Sequence, residues 1–364
     1  MKIGILTFHC ADNYGAVLQC YATQEFLRSL GHEVYVIDYR PDYILRSYPL
    51  IRTQRISCSN PLQTAVNLVK ELIHLPKRFQ LKRGYHHFSS TYLSLTDTVT
   101  RDTVPATLDA YVVGSDQVWN PRLTQGFDDV YFCRFPFPKE GKKYIAYAAS
   151  MEAETLNAAA EIFYREALQS FDALSVREQP LQQLLQHLTS QPVCQVLDPT
   201  LMVPTTTWNN LSAKVKLPKK YVLVYQGRSS HHTLRIARDI AHQIGAEVVV
   251  LGTWFSLNRN FSYHSVSPEE FIYAVRHAAC IVTTSFHGTA FSIIFNRPFY
   301  TIRLNDGADS RSQSMLATLC LHDRMIGVDT TPSYSSIDYT NANALLEDLR
   351  KGSQEYLKEA LGNR

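Results

Sequence analysis

The first forty residues constrain the fold more than any other part of the chain. In them an apolar run, a polar loop, a helical pattern and a second apolar run follow one another. Ile3 to Phe8 reads as a strand, and His9-Cys10-Ala11-Asp12-Asn13-Tyr14-Gly15 as a loop. Val17, Leu18, Tyr21, Ala22, Phe26, Leu27 and Leu30 then recur at helical spacing. Gly31 stands just past the expected helix end, where glycine takes the left-handed conformation that closes a last turn. Val34-Tyr35-Val36-Ile37 is the second strand. A strand–helix–strand unit of this kind implies a parallel sheet with a right-handed crossover.

The alternation continues. Ala110 to Val113 runs into Gly114-Ser115-Asp116-Gln117, Tyr144 to Tyr147 into Ala148-Ala149-Ser150, and Ala173 to Val176 into Arg177-Glu178 with a helix to about Leu188. Val193 to Leu197 leads into Asp198-Pro199-Thr200, and the stretch Val203-Pro204-Thr205-Thr206-Thr207 marks a boundary. A second series follows, with strands at Tyr221 to Tyr225, Glu247 to Leu251, Ile281 to Thr283 and Phe299 to Leu304, and helices from about His232 to Ile244 and Pro268 to Ala278. A chain of 364 residues exceeds the usual size of one core. The expected fold is therefore α/β, with two Rossmann-like domains of parallel strands in a GT-B-like arrangement. Its ligand cleft is expected between the domains, at the C-terminal ends of the strands. The expected division is 1–204, carrying a basic insertion at about 41–90, then 205–340, then a C-terminal helix in 341–364.

Charge narrows the classes of partner. A formal net charge of +3 is too small to imply nucleic acid. Locally, Arg40, Arg46, Arg52, Arg55, Lys70, Lys77, Arg78, Lys82 and Arg83 are opposed only by Asp42 and Glu71, with apolar residues interleaved. Such a segment reads first as a solvated helical insertion and second as a surface for anionic lipid headgroups or a lipid-linked glycan. The seven cysteines are scattered without zinc spacing, which fits reduced thiols and a cytoplasmic address. Neither a signal peptide nor a membrane-spanning apolar run is read from the sequence. Oligomeric state is not legible.

Polar groups fall where strands end. Ser285-Phe286-His287-Gly288 is the sharpest case: Ser285 can cap the following apolar helix, Gly288 permits close approach, and His287 can move a proton near neutral pH. Arg177, Arg228, Arg303 and Arg311 are forks for a carboxylate or phosphate, each with a salt bridge as the plainer alternative. Asp116 is a base or an orienting group, with a turn cap after Gly114-Ser115 as the plainer alternative. Asn13 and Tyr14 open a helix whose free N–H groups could meet an anion. Trp119 and Asn120 could meet a sugar, although a lone tryptophan is more often core. No metal cluster, P-loop, GxGxxG or nucleophile elbow is present in the sequence.

In order and spacing, Asn13-Tyr14-Gly15-Ala16 with Gln19, Gly114-Ser115-Asp116-Gln117-Val118-Trp119-Asn120, Ser175-Val176-Arg177-Glu178, Leu197-Asp198-Pro199-Thr200 and Ser285-Phe286-His287-Gly288 resemble the polysaccharide pyruvyl transferase family. The resemblance implies phosphoenolpyruvate as donor substrate without a separate cofactor. It also implies a glycan acceptor, lipid-linked and met at the inner face of the membrane, and pyruvate transfer as a cyclic ketal with release of phosphate. It makes His287, Asp116 and Arg177 the leading catalytic residues. Arg177, Arg228, Arg303, Arg311, Ser285 and Gly288 then fall to the donor, and Asn13, Tyr14, Trp119 and Asn120 to the acceptor. Two readings stand beside it: a GT-B glycosyltransferase using a nucleotide sugar, and a non-catalytic glycan-binding or assembly protein.

Overall fold

The computed structural model of the protein describes residues 1–52, 61–152, 155–252 and 261–362. Arg55 and Cys58 lie outside these.

The first sheet comprises β1 (Lys2–Leu6), β2 (Glu33–Tyr39), β3 (Leu95–Val99), β4 (Ala110–Val113), β5 (Lys143–Ala149), β6 (Ala173–Val176) and β7 (Val193–Gln195). Its order is β3-β2-β1-β4-β5-β6-β7, with every pairing parallel. The second comprises β8 (Tyr221–Tyr225), β9 (Glu247–Leu251), β10 (Ser262–His264), β11 (Cys280–Thr283), β12 (Phe299–Arg303) and β13 (Met325–Gly327), ordered β10-β9-β8-β11-β12-β13 and again parallel. Both orders turn outward from a central strand. That leaves a crevice beyond the strand ends at β1/β4 and at β8/β11. The central strands β4, Ala-Tyr-Val-Val, and β8, Tyr-Val-Leu-Val-Tyr, are buried at every position because helices cover both faces.

Helices α1 (Tyr14–Ser29), α2 (Asp42–Ser47) and α3 (Pro61–Tyr92) belong to the first half of the chain, as do α4 (Ala158–Leu168) and α5 (Gln179–Gln186). The Asn13 side chain accepts from the Ala16 amide and so starts α1. The boundary segment forms α6 (Pro199–Met202) and α7 (Thr205–Leu211). It is a packed joint: Trp208 of α7 donates its indole N–H to the Thr200 carbonyl, meets Phe291 edge-on at 4.9 Å, and lies against Tyr21 of α1. In the second half are α8 (His231–Ile244), α9 (Pro268–His277), α10 (Phe286–Ile294) and α11 (Asp309–Thr318).

The last helix, α12 (Thr340–Leu361), returns to the first domain. Tyr339, just before it, donates its hydroxyl to the Arg297 carbonyl. Further along, Arg350 donates to the Leu201 carbonyl, Ser353 Oγ accepts from the Leu197 amide, and Tyr356 donates to the Ala146 carbonyl. Leu357 and Leu361 are buried there. Together, α12 and the α6–α7 joint hold the two sheets as one body around the cleft.

Candidate functional site

The cleft contains a cavity of about 520 Å³ lined from both domains. Asn13, Asp116 and Glu152 come from the first domain, and Arg228, Ser285, His287 and Arg311 from the second. It adjoins a cavity of about 550 Å³, sharing Asn13, Tyr48 and Gly227 with it. That neighbour is lined by five tyrosines, Tyr14, Tyr48, Tyr85, Tyr225 and Tyr263, and by Asp12. Burial raises the Asp12 carboxyl to about 6, with Lys82 pulling the other way.

Beneath the central cavity lies a buried ionic network built from strand ends. β6 delivers Arg177 and Glu178, β4 runs on to Ser115, β5 to Ser150, and the residue before α6 is Asp198. Arg177 donates from Nε to Glu178 at 3.0 Å, from one terminal nitrogen to Asp198 at 2.6 Å, and from the other to Ser150 Oγ at 2.9 Å. Its guanidinium also lies 4.5 Å from the centre of the Phe286 ring. Asp198 is fully buried and accepts from Arg177, the Ser115 hydroxyl, and both the amide and the hydroxyl of Thr200. Burial alone would raise its carboxyl, but His287, Arg177 and Thr200 hold it well below the usual carboxylate range.

His287 closes this network across the domain boundary. Ser285 caps α10 by accepting from the Gly288 amide, which fixes the turn carrying His287. Its Nε2 lies 3.5 Å from Asp198 Oδ2, an ion-pair distance longer than a formed hydrogen bond. The other edge of the ring rests on Gly15 in the first turn of α1. A Cβ at Gly15 would sit 2.0 Å from His287 Nδ1. Gly15→Ala is therefore expected to expel the ring from its seat. The purified variant should melt at a lower temperature, since forcing an extra methyl group into a packed site costs about 1–3 kcal/mol, and a wild-type melting temperature would show that the seat can yield. Gly288 is equally confined, because a Cβ there would meet Thr283 Oγ1 at 2.2 Å.

Arg311 enters the same cavity from the second domain. One terminal nitrogen donates to Glu152 at 3.0 Å across the cleft, and its buried Nε has no partner among the described residues. Burial, and then the like charge of Arg177, push it below the ordinary arginine range against the pull of Glu152, Glu178 and Asp116. A guanidinium held in that way favours an added anion.

Several sequence-predicted residues fall elsewhere. The Arg177 fork, expected to clamp a donor, is filled by Asp198 and Glu178. Arg228 lines the cavity but pairs with Asp306 and Asp309. Arg303 is exposed at the end of β12 and does not line the cavity. Trp119 is not available to a sugar: it stacks on Phe132 in the core and donates to the Tyr131 carbonyl. Asn120 is buried, donating to Gln117 Oε1 and accepting from the Arg122 amide. Tyr14 lines the tyrosine-rich cavity while donating to the Val266 carbonyl and stacking on Phe271 at 4.5 Å, so it joins the domains. Asp198, Glu178 and Glu152 complete the site, and of these only Asp198 stands among the strand-end candidates read from the sequence. Glu178 carried the same signal as a strand-end acid, whereas Glu152 carried none. Among the described residues, no group of three or more His, Cys, Asp or Glu side chains is arranged to hold a metal ion.

No curated protein matches the chain significantly. Solved structures of similar shape include the UDP-GlcNAc 2-epimerase from Neisseria meningitidis bound to UDP-GlcNAc. It shows 10% identity and a TM-score of 0.48, with 99% of this chain and 94% of that chain covered. The UDP-GlcNAc 2-epimerase from Methanocaldococcus jannaschii shows 10% identity and a TM-score of 0.45, with 95% and 92% covered. Spinosyn rhamnosyltransferase SpnG shows 12% identity and a TM-score of 0.43, with 99% of each chain covered. The family model for polysaccharide pyruvyl transferases matches residues 13–306, a span that takes in the cleft from Asn13 through His287 to Asp306, and the chain belongs to that family.

Proposed function

We propose that the protein transfers pyruvate from phosphoenolpyruvate onto two hydroxyls of one sugar in a surface-polysaccharide precursor, forming a cyclic ketal and releasing phosphate. The observation that carries this reading is Arg311, a half-buried arginine whose Nε is buried without a partner among the described residues, beside Arg177 and in the same cavity as His287. A donor bearing both a carboxylate and a phosphate suits such a site. Arg311 receives the anion. Arg177 is a positioning residue, since its own donors hold Asp198 and Glu178.

The reaction requires each atom to be placed. The first acceptor oxygen bonds to the central carbon of phosphoenolpyruvate while the methylene carbon takes a proton and becomes a methyl group. The second acceptor oxygen then bonds to the same carbon as the phosphate departs. The two hydroxyls lose two protons, one balancing the methyl and one the phosphate. His287 carries proton transfer at the donor, with Asp198 orienting its ring, and Asp116 orients or deprotonates the acceptor. The tyrosine-lined cavity next to Asn13 suits the acceptor glycan, because aromatic rings pack on sugar faces. That acceptor is lipid-linked and is met at the inner face of the membrane.

Thermal unfolding tests the donor. Phosphoenolpyruvate at a hundred times its Kd is expected to stabilise the wild type by about 2.7 kcal/mol. Nucleotide sugars should give no shift, and Arg311→Gln should lose the response. A shift with a nucleotide sugar alone would replace this reading with glycosyl transfer.

A further inference from the structure

The outer half of α3 has an apolar face turned to solvent. Val66, Leu68, Val69, Leu72, Ile73 and Phe79 are 42–59% exposed. Their spacing of three, four and seven places them on one side of the helix, and 66 to 79 spans about 20 Å. The opposite side is anchored. Arg78 and Glu71 form a buried ion pair, Arg78 also donates to the Leu50 carbonyl, and the Arg52 amide donates to Glu71. These bonds bring Ile51, itself 47% exposed, alongside the same stretch. Further on, Gln80 donates to the Ser265 carbonyl, which fixes the helix against the second domain. Isolated exposed apolar residues are ordinary, whereas a contiguous apolar face marks a contact surface.

Charge distinguishes what meets it. The helix α3 carries Lys70, Lys77, Arg78, Lys82 and Arg83 but a single acid of its own, Glu71, which is buried against Arg78, while Lys82 lies 3.9 Å from Asp12. Lys70 and Arg83 are both exposed, one within the apolar stretch and one beyond its end. A basic edge beside an apolar face suits a surface that is anionic outside and apolar just beneath. The same helix contributes Arg78, Leu81, Lys82 and Tyr85 to the tyrosine-lined cavity. Among the described residues no helix is long and apolar enough to cross a membrane, so contact through α3 would be interfacial.

We propose that the exposed face of α3 docks the protein on an anionic lipid bilayer, with Val69, Leu72, Ile73 and Phe79 entering the headgroup boundary and Lys70 and Arg83 meeting lipid phosphates. This stands whether or not phosphoenolpyruvate is the donor. The test is flotation of the full chain with vesicles of phosphatidylcholine alone or with 30% phosphatidylglycerol. Wild type should float with the anionic vesicles. Val69→Glu/Leu72→Glu should reduce the bound fraction at least tenfold, and Lys70→Glu/Arg83→Glu should weaken binding to the anionic vesicles several-fold. Both variants should keep the wild-type melting temperature and its response to phosphoenolpyruvate, which separates this test from that of the donor. Failure of wild type to float, or unchanged flotation of Val69→Glu/Leu72→Glu, overturns the proposal. So does a wild-type dimer that this variant breaks into monomers without any vesicle binding, because the face would then join two copies of the chain.

Discussion

Replacing Asp198 with asparagine is expected to cost the fold about 3–5 kcal/mol, the usual penalty for removing one member of a buried ion pair. Asp198 is fully buried, and its carboxylate is the shared acceptor for Arg177, Ser115 and Thr200, with His287 at ion-pair distance. The amide keeps the shape but removes the charge, leaving Arg177 buried with Glu178 as its remaining ion-pair partner among the described residues. Urea unfolding at pH 7 should show a lower midpoint with an unchanged slope. The pH dependence gives a second check. The folded-state carboxyl lies below its unfolded value. Its stabilisation is therefore present above the unfolded pKa, about 3.9, and disappears as pH falls through the folded value. The gap between wild type and Asp198→Asn should be full at pH 7 and narrow steadily below about pH 4. A gap that is constant with pH would mean that the lost stability is one of shape rather than charge.

The main elements of the fold were legible because central parallel strands are buried on both faces and read as unbroken apolar runs. Among the strands, those that escaped notice are edge strands; the helices α4 and α11 escaped as well. β3, Leu-Thr-Asp-Thr-Val, has only one buried position, and β10, Ser-Tyr-His, has none. With a neighbour on one side and solvent on the other, such strands lack the continuous apolar signal. In the site, Ser285, His287, Asp116 and Arg311 were legible as polar groups at strand or helix ends, where the topology brings them to one cleft. The occupancy of Arg177 was not. An arginine that binds a ligand and one that holds Asp198, twenty-one positions on, have the same sequence; only the folding of β6 beside β7 decides between them. Trp119 illustrates the reverse case, since polar neighbours in sequence did not keep its ring out of the core. The basic, apolar segment was visible as composition, but the face of α3 turned to water depends on what the Glu71–Arg78 pair anchors.

Replacing His287 with alanine is expected to lower phosphate release by about 10²–10⁴-fold, the range spanned by a positioned acid–base group. The fold should survive, because the ring's neighbours are Gly15, Phe286 and Asp198, and Asp198 retains Arg177 as its principal partner. Phosphoenolpyruvate should still raise the melting temperature, since Arg311 is untouched. The decisive measurement is therefore the pair of readouts on one preparation, turnover and donor-induced stabilisation. Loss of turnover with stabilisation retained places His287 in the chemical step. Loss of both would assign it to holding the donor phosphate, and full turnover would remove it from the reaction altogether. Gly15→Ala extends the comparison, because it displaces the same ring without deleting it. If the position of the imidazole matters, and not merely its presence, the two variants should fail in the same way: donor binding kept, phosphate release lost.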